Sequence, residues 1–297
     1  MVAKYKFKRI LKHIIWAVFV LSSLLLLALH GMAIHSNTSD SQIKKLFANK
    51  GIEHSVNYSS FENKSLRYIK AGEAQDALIV FIHGAPGSWD AFEGYMMDSS
   101  LLSIAQLISI DRLGYGNSSP GKTEPSILKH AEALTKLAEK HPSQKLLLVG
   151  HSYGGPIAAA AANLLQEKRT VEVLMIAPLN DPQNEPVKWY AKLCDFKPIK
   201  FLLPKFIKVA TEEKISHSSA LTDILAIWNK IQFPITHYHG TKDQLAPFEA
   251  NFKFSKSNIP SQHLELISEQ GGNHLLIWNQ YDRIKNLIMK RFKSKSF

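Results

Sequence analysis

A serine, an aspartate and a histidine, spread over the last half of the chain, carry the chemistry that this sequence can do. Val149-Gly150-His151-Ser152-Tyr153-Gly154-Gly155 follows the apolar run 146–149 and leads into Pro156, Ile157 and five consecutive alanines. That pattern reads as strand, sharp turn, helix, the setting of a G-x-S-x-G nucleophile elbow. A serine hydroxyl attacks a carbonyl only when a base takes its proton, so it must project from a turn where a base can reach it. Glycines at 150 and 154 leave room for such a turn. The helix that follows offers unpaired backbone N–H groups to a developing anion, and Pro156 suits its first turn. A Gly-Ser turn without chemistry has the same letters, so the rest of the chain decides.

Three further motifs stand at the ends of apolar runs. His83-Gly84-Ala85-Pro86-Gly87-Ser88 follows 77–82, His239-Gly240-Thr241-Lys242-Asp243 closes 235–239, and Gly271-Gly272-Asn273-His274 follows 264–267. With these motifs, in the order Ser152, Asp243, His274, and with the loop Asp111-Arg112-Leu113-Gly114-Tyr115-Gly116, the chain from about residue 60 onward resembles the α/β-hydrolase superfamily, serine-nucleophile type. The resemblance implies Ser152 as nucleophile, His274 as general base and then acid, and Asp243 as the group that orients the imidazole. It also implies an oxyanion hole from the backbone N–H groups of Ala85 and Tyr153. Asp181, after the sixth strand, is the reserve acid. His83 and His151 are expected to shape the site by hydrogen bonding. His237 and His239 share a strand face, but with no third ligand in view they read as packing, not a metal pair. Epoxide hydrolases and haloalkane dehalogenases resemble the chain in the H-G-x-P loop and use an aspartate nucleophile; serine at 152 favours acyl transfer.

The elements that must position these residues alternate. Strands are expected at 66–70, an edge strand, then at 77–82, 107–110, 146–149, 171–177, 235–239 and 264–267. Ile127, Leu128, Ala131, Leu134, Leu137 and Ala138 recur on one helical face. Alternation predicts an α/β fold: a mainly parallel central sheet flanked by helices, with ligands at the carboxyl ends of the strands. From Asp181 to Gln232 the strand rhythm stops. This stretch, rich in aromatics, aliphatics and lysines, reads as a small helical cap at about 182–232, inserted after the sixth strand. Its basic, apolar surface reads as a solvated lysine face, with a membrane surface as the alternative.

At the other end, residues 14–34 are almost wholly apolar and as a helix would span about 32 Å, enough for a bilayer. They are expected to be a transmembrane signal anchor, with a signal peptide as the alternative. The domain plan is then a basic cytoplasmic tail at 1–13, the anchor at 14–34, a tether at 35–60 leading to a short helix, and the hydrolase domain at 61–297. Lys4, Lys6, Lys8, Arg9 and Lys12 precede the span, which keeps that end cytoplasmic and puts the domain outside, periplasmic or extracellular in a bacterium. The formal charge of +11 therefore reads as membrane flanks and a solvated last helix, and no nucleic-acid-binding motif accompanies it. The single cysteine, Cys194, rules out an intrachain disulfide and is expected to be a buried free thiol. No metal or organic cofactor is called for. The function expected is hydrolysis of a small-molecule carboxylic ester with a hydrophobic acyl or alkyl part, through an acyl-enzyme intermediate. The same residues also serve amide, thioester, carbon–carbon or perhydrolase chemistry, and a non-catalytic hydrolase-fold binding module is the alternative class.

Overall fold

The computed structural model describes residues 2–36, 38–73, 75–185 and 187–293. Eight strands, β1 (His54–Phe61), β2 (Lys64–Ala71), β3 (Ala77–Ile82), β4 (Gln106–Ile110), β5 (Lys145–His151), β6 (Thr170–Ile176), β7 (Ile235–Gly240) and β8 (Leu264–Glu269), form one sheet. Their order is β1-β2-β4-β3-β5-β6-β7-β8. β3 to β8 are mutually parallel, and β2 runs antiparallel to both its neighbours.

The central strands are continuous apolar runs because both faces are covered. In β3, Leu78, Val80 and Ile82 face one core, with the helices Ile127–Glu139 and Gly154–Leu165. Ile79 and Phe81 face the other, with the helix Asp40–Ala48, the segment Trp89–Met96 and the final helix Tyr281–Lys293. Five alanines in helix Gly154–Leu165 let it lie close on the sheet; all are buried. In helix Ile127–Glu139, Leu128 is exposed, not on the core face as its spacing suggested; His130 is buried in its place.

Three sequence expectations change. His54–Phe61, read as part of the tether, is a sheet strand, so β2 is interior and β1 is the edge. The chain between span and sheet is also held to the domain. Buried Arg67 donates from Nη1 to Thr38 O and Asp40 Oδ1, each at 2.9 Å, and Ile43 and Phe47 of helix Asp40–Ala48 are wholly buried. Cys194 is free but only half-buried. Between β6 and β7 lie a short 3-10 turn and the helices Trp189–Asp195, Lys197–Leu202, Lys205–Asp223 and Leu225–Trp228. At the start, a helix runs Val2–Ser36; within it Lys8–Gly31 is long and apolar enough to cross a membrane, and none of its most apolar window is buried in the protein.

Candidate active site

Ser152 sits directly after β5, with φ +54, a left-handed conformation that costs a residue with a Cβ about 1–2 kcal/mol. Its neighbours hold it there. The Ser152 amide donates to Ile176 O at 2.9 Å, tying the turn to the end of β6. A Cβ on Gly154 would stand 2.2 Å from Ile82 O, and one on Gly150 would stand 2.2 Å from Gly154 O. The turn is thus pressed against the end of β3, and only glycine fits at those two positions.

His274, on the loop after β8, reaches Ser152 with Nε2, 3.0 Å from Oγ. Its Nδ1–H donates to Asp243 Oδ2 at 2.7 Å. The carboxylate is fully engaged. Oδ1 accepts the amides of Leu245 and Ala246, each at 2.9 Å, and Oδ2 also accepts from His239 Nε2 at 3.1 Å. Burial alone would raise the Asp243 pKa, but hydrogen bonds from His239 and His274 outweigh it and hold the group well below the usual carboxylate range.

Behind Asp243 the proton positions follow from the partners. His239 Nε2 also faces the carbonyl of Ala246 at 3.0 Å; an acceptor-only oxygen on that side means that Nε2 carries the proton. In the neutral ring Nδ1 then accepts, from His237 Nε2 at 2.8 Å. His237 Nδ1 accepts in turn from Ser255 Oγ at 2.9 Å, and Ser255 accepts from Asn180 Nδ2 at 3.1 Å. A buried file of donors therefore points at Asp243, and the two strand histidines are part of the site's support. Burial, and then the nearness of His239, hold the His237 pKa well below the ordinary value, in keeping with a neutral His237 ring. Asp181 lies elsewhere: its carboxylate caps Gln183 N at 2.9 Å and takes Asn184 Nδ2 at 2.6 Å.

His151 and His83 brace the frame. His151 Nε2 donates to His274 O at 3.0 Å, fixing the backbone that carries the imidazole. Burial and then the adjacent His274 push its pKa down to about 3, so it stays neutral. His83 Nε2 accepts the Arg112 amide at 2.9 Å while its Nδ1–H donates to Gly84 O at 2.7 Å. Burial, then the Arg112 charge, lower its pKa too. Ala85 follows on this loop and faces the cavity over Ser152; Tyr153 caps the start of helix Gly154–Leu165.

A family model described as alpha/beta hydrolase fold matches residues 77–186. The chain has the α/β-hydrolase fold. It is 24% identical over 250 residues, 71% of its length and 89% of the other's, to a Synechocystis sp. protein provisionally named a non-heme chloroperoxidase. Among solved structures it is similar to an esterase from Exiguobacterium antarcticum, with TM-score 0.60 and 20% identity over 80% of this chain and 98% of that one. It is also similar to a membrane phospholipase A described as a bacterial virulence factor, with TM-score 0.61 and 16% identity over 94% and 99%. At those identities the two structures share its fold and indicate nothing finer.

Ser152 and His274 stand in a cavity of about 780 Å³ whose walls include Ala85, Phe201, Leu202, Phe206, Leu245 and Trp278. That size suits a small organic ligand, and the lining is mostly apolar. Two residues that sequence reasoning left without a role complete the hydrolase frame. Arg112, wholly buried, donates from Nε to His83 O at 3.0 Å and from Nη2 to Gly84 O at 3.1 Å. Its guanidinium forks onto Glu213 of the cap, Nη1 to Oε1 at 2.7 Å and Nη2 to Oε2 at 3.0 Å. One cation thus ties the loop carrying Ala85 to the cap. Arg112 lay in a motif already singled out; nothing in the sequence paired it with a glutamate 101 residues away.

Proposed function

We propose that this α/β-hydrolase-fold protein is a membrane-anchored serine hydrolase that cleaves a carboxylic ester with a hydrophobic acyl or alkyl part, outside the cytoplasm. The observation that carries the reading is the run Ser152 Oγ, His274, Asp243, at 3.0 and 2.7 Å, on the floor of an apolar cavity. In this mechanism His274 Nε2 takes the Ser152 proton as Oγ bonds to the ester carbonyl carbon. Negative charge moves to the carbonyl oxygen, where the Ala85 and Tyr153 N–H groups would meet it; one such donor is typically worth about 3 kcal/mol. His274 returns the proton to the alkoxide oxygen as the carbon–oxygen bond breaks, and the alcohol leaves. Water then gives a proton to His274 and its oxygen to the acyl carbon, and collapse of the second intermediate releases the acid and re-protonates Ser152. Throughout, Asp243 remains an anion facing the imidazolium.

An ester is favoured over the other acyl chemistries by the wide, apolar cavity, and similarity to an esterase and a membrane phospholipase A is compatible with it. The basic residues ahead of the apolar stretch 14–34 favour an N-terminus on the cytoplasmic side. The test is a series of p-nitrophenyl esters of rising chain length, wild type beside Ser152→Ala. Turnover that grows with chain length and vanishes in a folded Ser152→Ala supports the reading; turnover that survives the substitution refutes it.

A further inference from the structure

We propose that the cavity opens onto the bilayer holding the N-terminal helix, so that the substrate is an ester-bearing amphiphile drawn from that membrane. The inference rests on the reading of Ser152 as nucleophile and adds where its substrate comes from.

The first argument is length. The apolar span ends at Gly31 and its helix continues to Ser36. The domain takes hold again at Thr38 and Asp40, through Arg67, whose side chain is wholly buried. Five helical residues advance the chain about 8 Å and two further residues at most about 7 Å. The domain is thus pinned within about 15 Å of the hydrocarbon edge, where headgroups alone occupy about 5–8 Å. A chain segment that short leaves the domain against the membrane surface.

The second argument is direction. His30, one residue before the end of the span, lines the same cavity as Ser152 and His274. The cavity wall therefore begins where the apolar span stops, and the mouth faces the membrane.

The third is the chemistry of the rim. Two consecutive cap helices and their junction expose Trp189, Tyr190, Leu193, Phe196, Phe201 and Leu202, with Phe201 82% and Trp189 75% exposed. Leu245 and Leu275, from the loops that carry Asp243 and His274, and Trp278, from the short helix Leu276–Asn279 that follows, add to the apolar rim and are exposed too. Large apolar groups left together in water mark a surface made to be covered. Trp and Tyr suit the headgroup boundary, where a ring is half in lipid and its polar edge is wet. Lys188, Lys192, Lys197 and Lys205 are interspersed among them, the charge that anionic headgroups attract. The cap surface thus fits the membrane better than the solvated face read from sequence.

The experiment uses the full chain reconstituted into phosphatidylcholine–phosphatidylglycerol vesicles, with two esters: p-nitrophenyl butyrate in the water phase and p-nitrophenyl palmitate dissolved in the vesicles. The double variant Trp189→Ser, Phe196→Ser changes two exposed positions outside the cavity lining. We expect it to lose about tenfold of palmitate turnover while butyrate turnover stays within about twofold, as for an unaltered catalytic centre. A wild type that hydrolyses butyrate and not palmitate, or a double variant that hydrolyses palmitate as well as wild type, overturns the inference and leaves the hydrolase reading standing. A folded wild type that hydrolyses neither ester overturns both. Fluorescence supplies a second measurement: brominated acyl chains are expected to quench the emission that Trp189→Phe removes, and unquenched emission from Trp189 would refute contact with the bilayer.

Discussion

Replacing Arg112 by methionine tests the link between the cap and the loop that carries Ala85. The guanidinium donates two hydrogen bonds to the carbonyls of His83 and Gly84 and two to Glu213, and both side chains of the ion pair are fully buried. Burial by itself would raise the Glu213 pKa; the Arg112 charge and the hydrogen bonds from His130 and Arg112 reverse that and hold it down to about 2. Arg112→Met strands this carboxylate without its counter-charge, which typically costs about 3–5 kcal/mol. Ester turnover should fall as well, by about tenfold, because the His83–Gly84 backbone loses the two guanidinium donors that help to set its position. Adding Glu213→Gln removes the stranded charge, so the double variant should regain about 2 kcal/mol of the loss while turnover stays low.

The same pair predicts a pH dependence. Glu213 has its folded pKa below the ordinary 4.5, so its contribution is complete above about 4.5 and is lost as pH falls toward about 2. Urea unfolding followed by circular dichroism across that window should show wild-type stability falling more steeply than that of Arg112→Met, Glu213→Gln, in which position 213 no longer titrates. Losses that simply add in the double variant, or identical pH dependence in the two proteins, would refute the coupling.

Two further outcomes follow from the site. In Asp243→Asn the amide can donate to His274 Nδ1, forcing the imidazole proton onto the nitrogen that should accept from Ser152; kcat is expected to fall by about 10³–10⁴ with the fold retained, and a smaller loss in a pre-steady-state ester assay would contradict the role given to the aspartate. Gly154→Ala brings a methyl to 2.2 Å from Ile82 O and should lower stability by about 3 kcal/mol. Gly271→Ala, with open space but φ +74, should lose only about 1 kcal/mol, and thermal unfolding of the pair checks the difference.

Continuous apolar runs made β3, β5 and β6 readable from sequence, because strands buried on both faces leave no other residue pattern. The turn around Ser152 was readable for a related reason: its glycines, at 150 and 154, are those that the close approach of β3 and the helix start demands. β1 was not. His54–Phe61 is mostly half-buried and polar, and its place in the sheet comes from pairing with β2, not from a hydrophobic pattern. The grip of Arg67 on Thr38 and Asp40, like that of Arg112 on Glu213, joins residues far apart in the chain, and no local rule brings such pairs together. His237 and His239 gave the right strand face, but their file of hydrogen bonds to Asp243 depends on Ser255 and Asn180, which only the fold brings alongside.

The most direct measurement of the central claim is labelling of the full chain by a fluorophosphonate, with the modified peptide identified by mass spectrometry. An activated serine predicts a single phosphonylated residue, Ser152, and labelling at least about 10²-fold slower in His274→Gln, where the base is missing. A folded wild type that is not labelled, or that is labelled at Ser152 equally fast without His274, would contradict it.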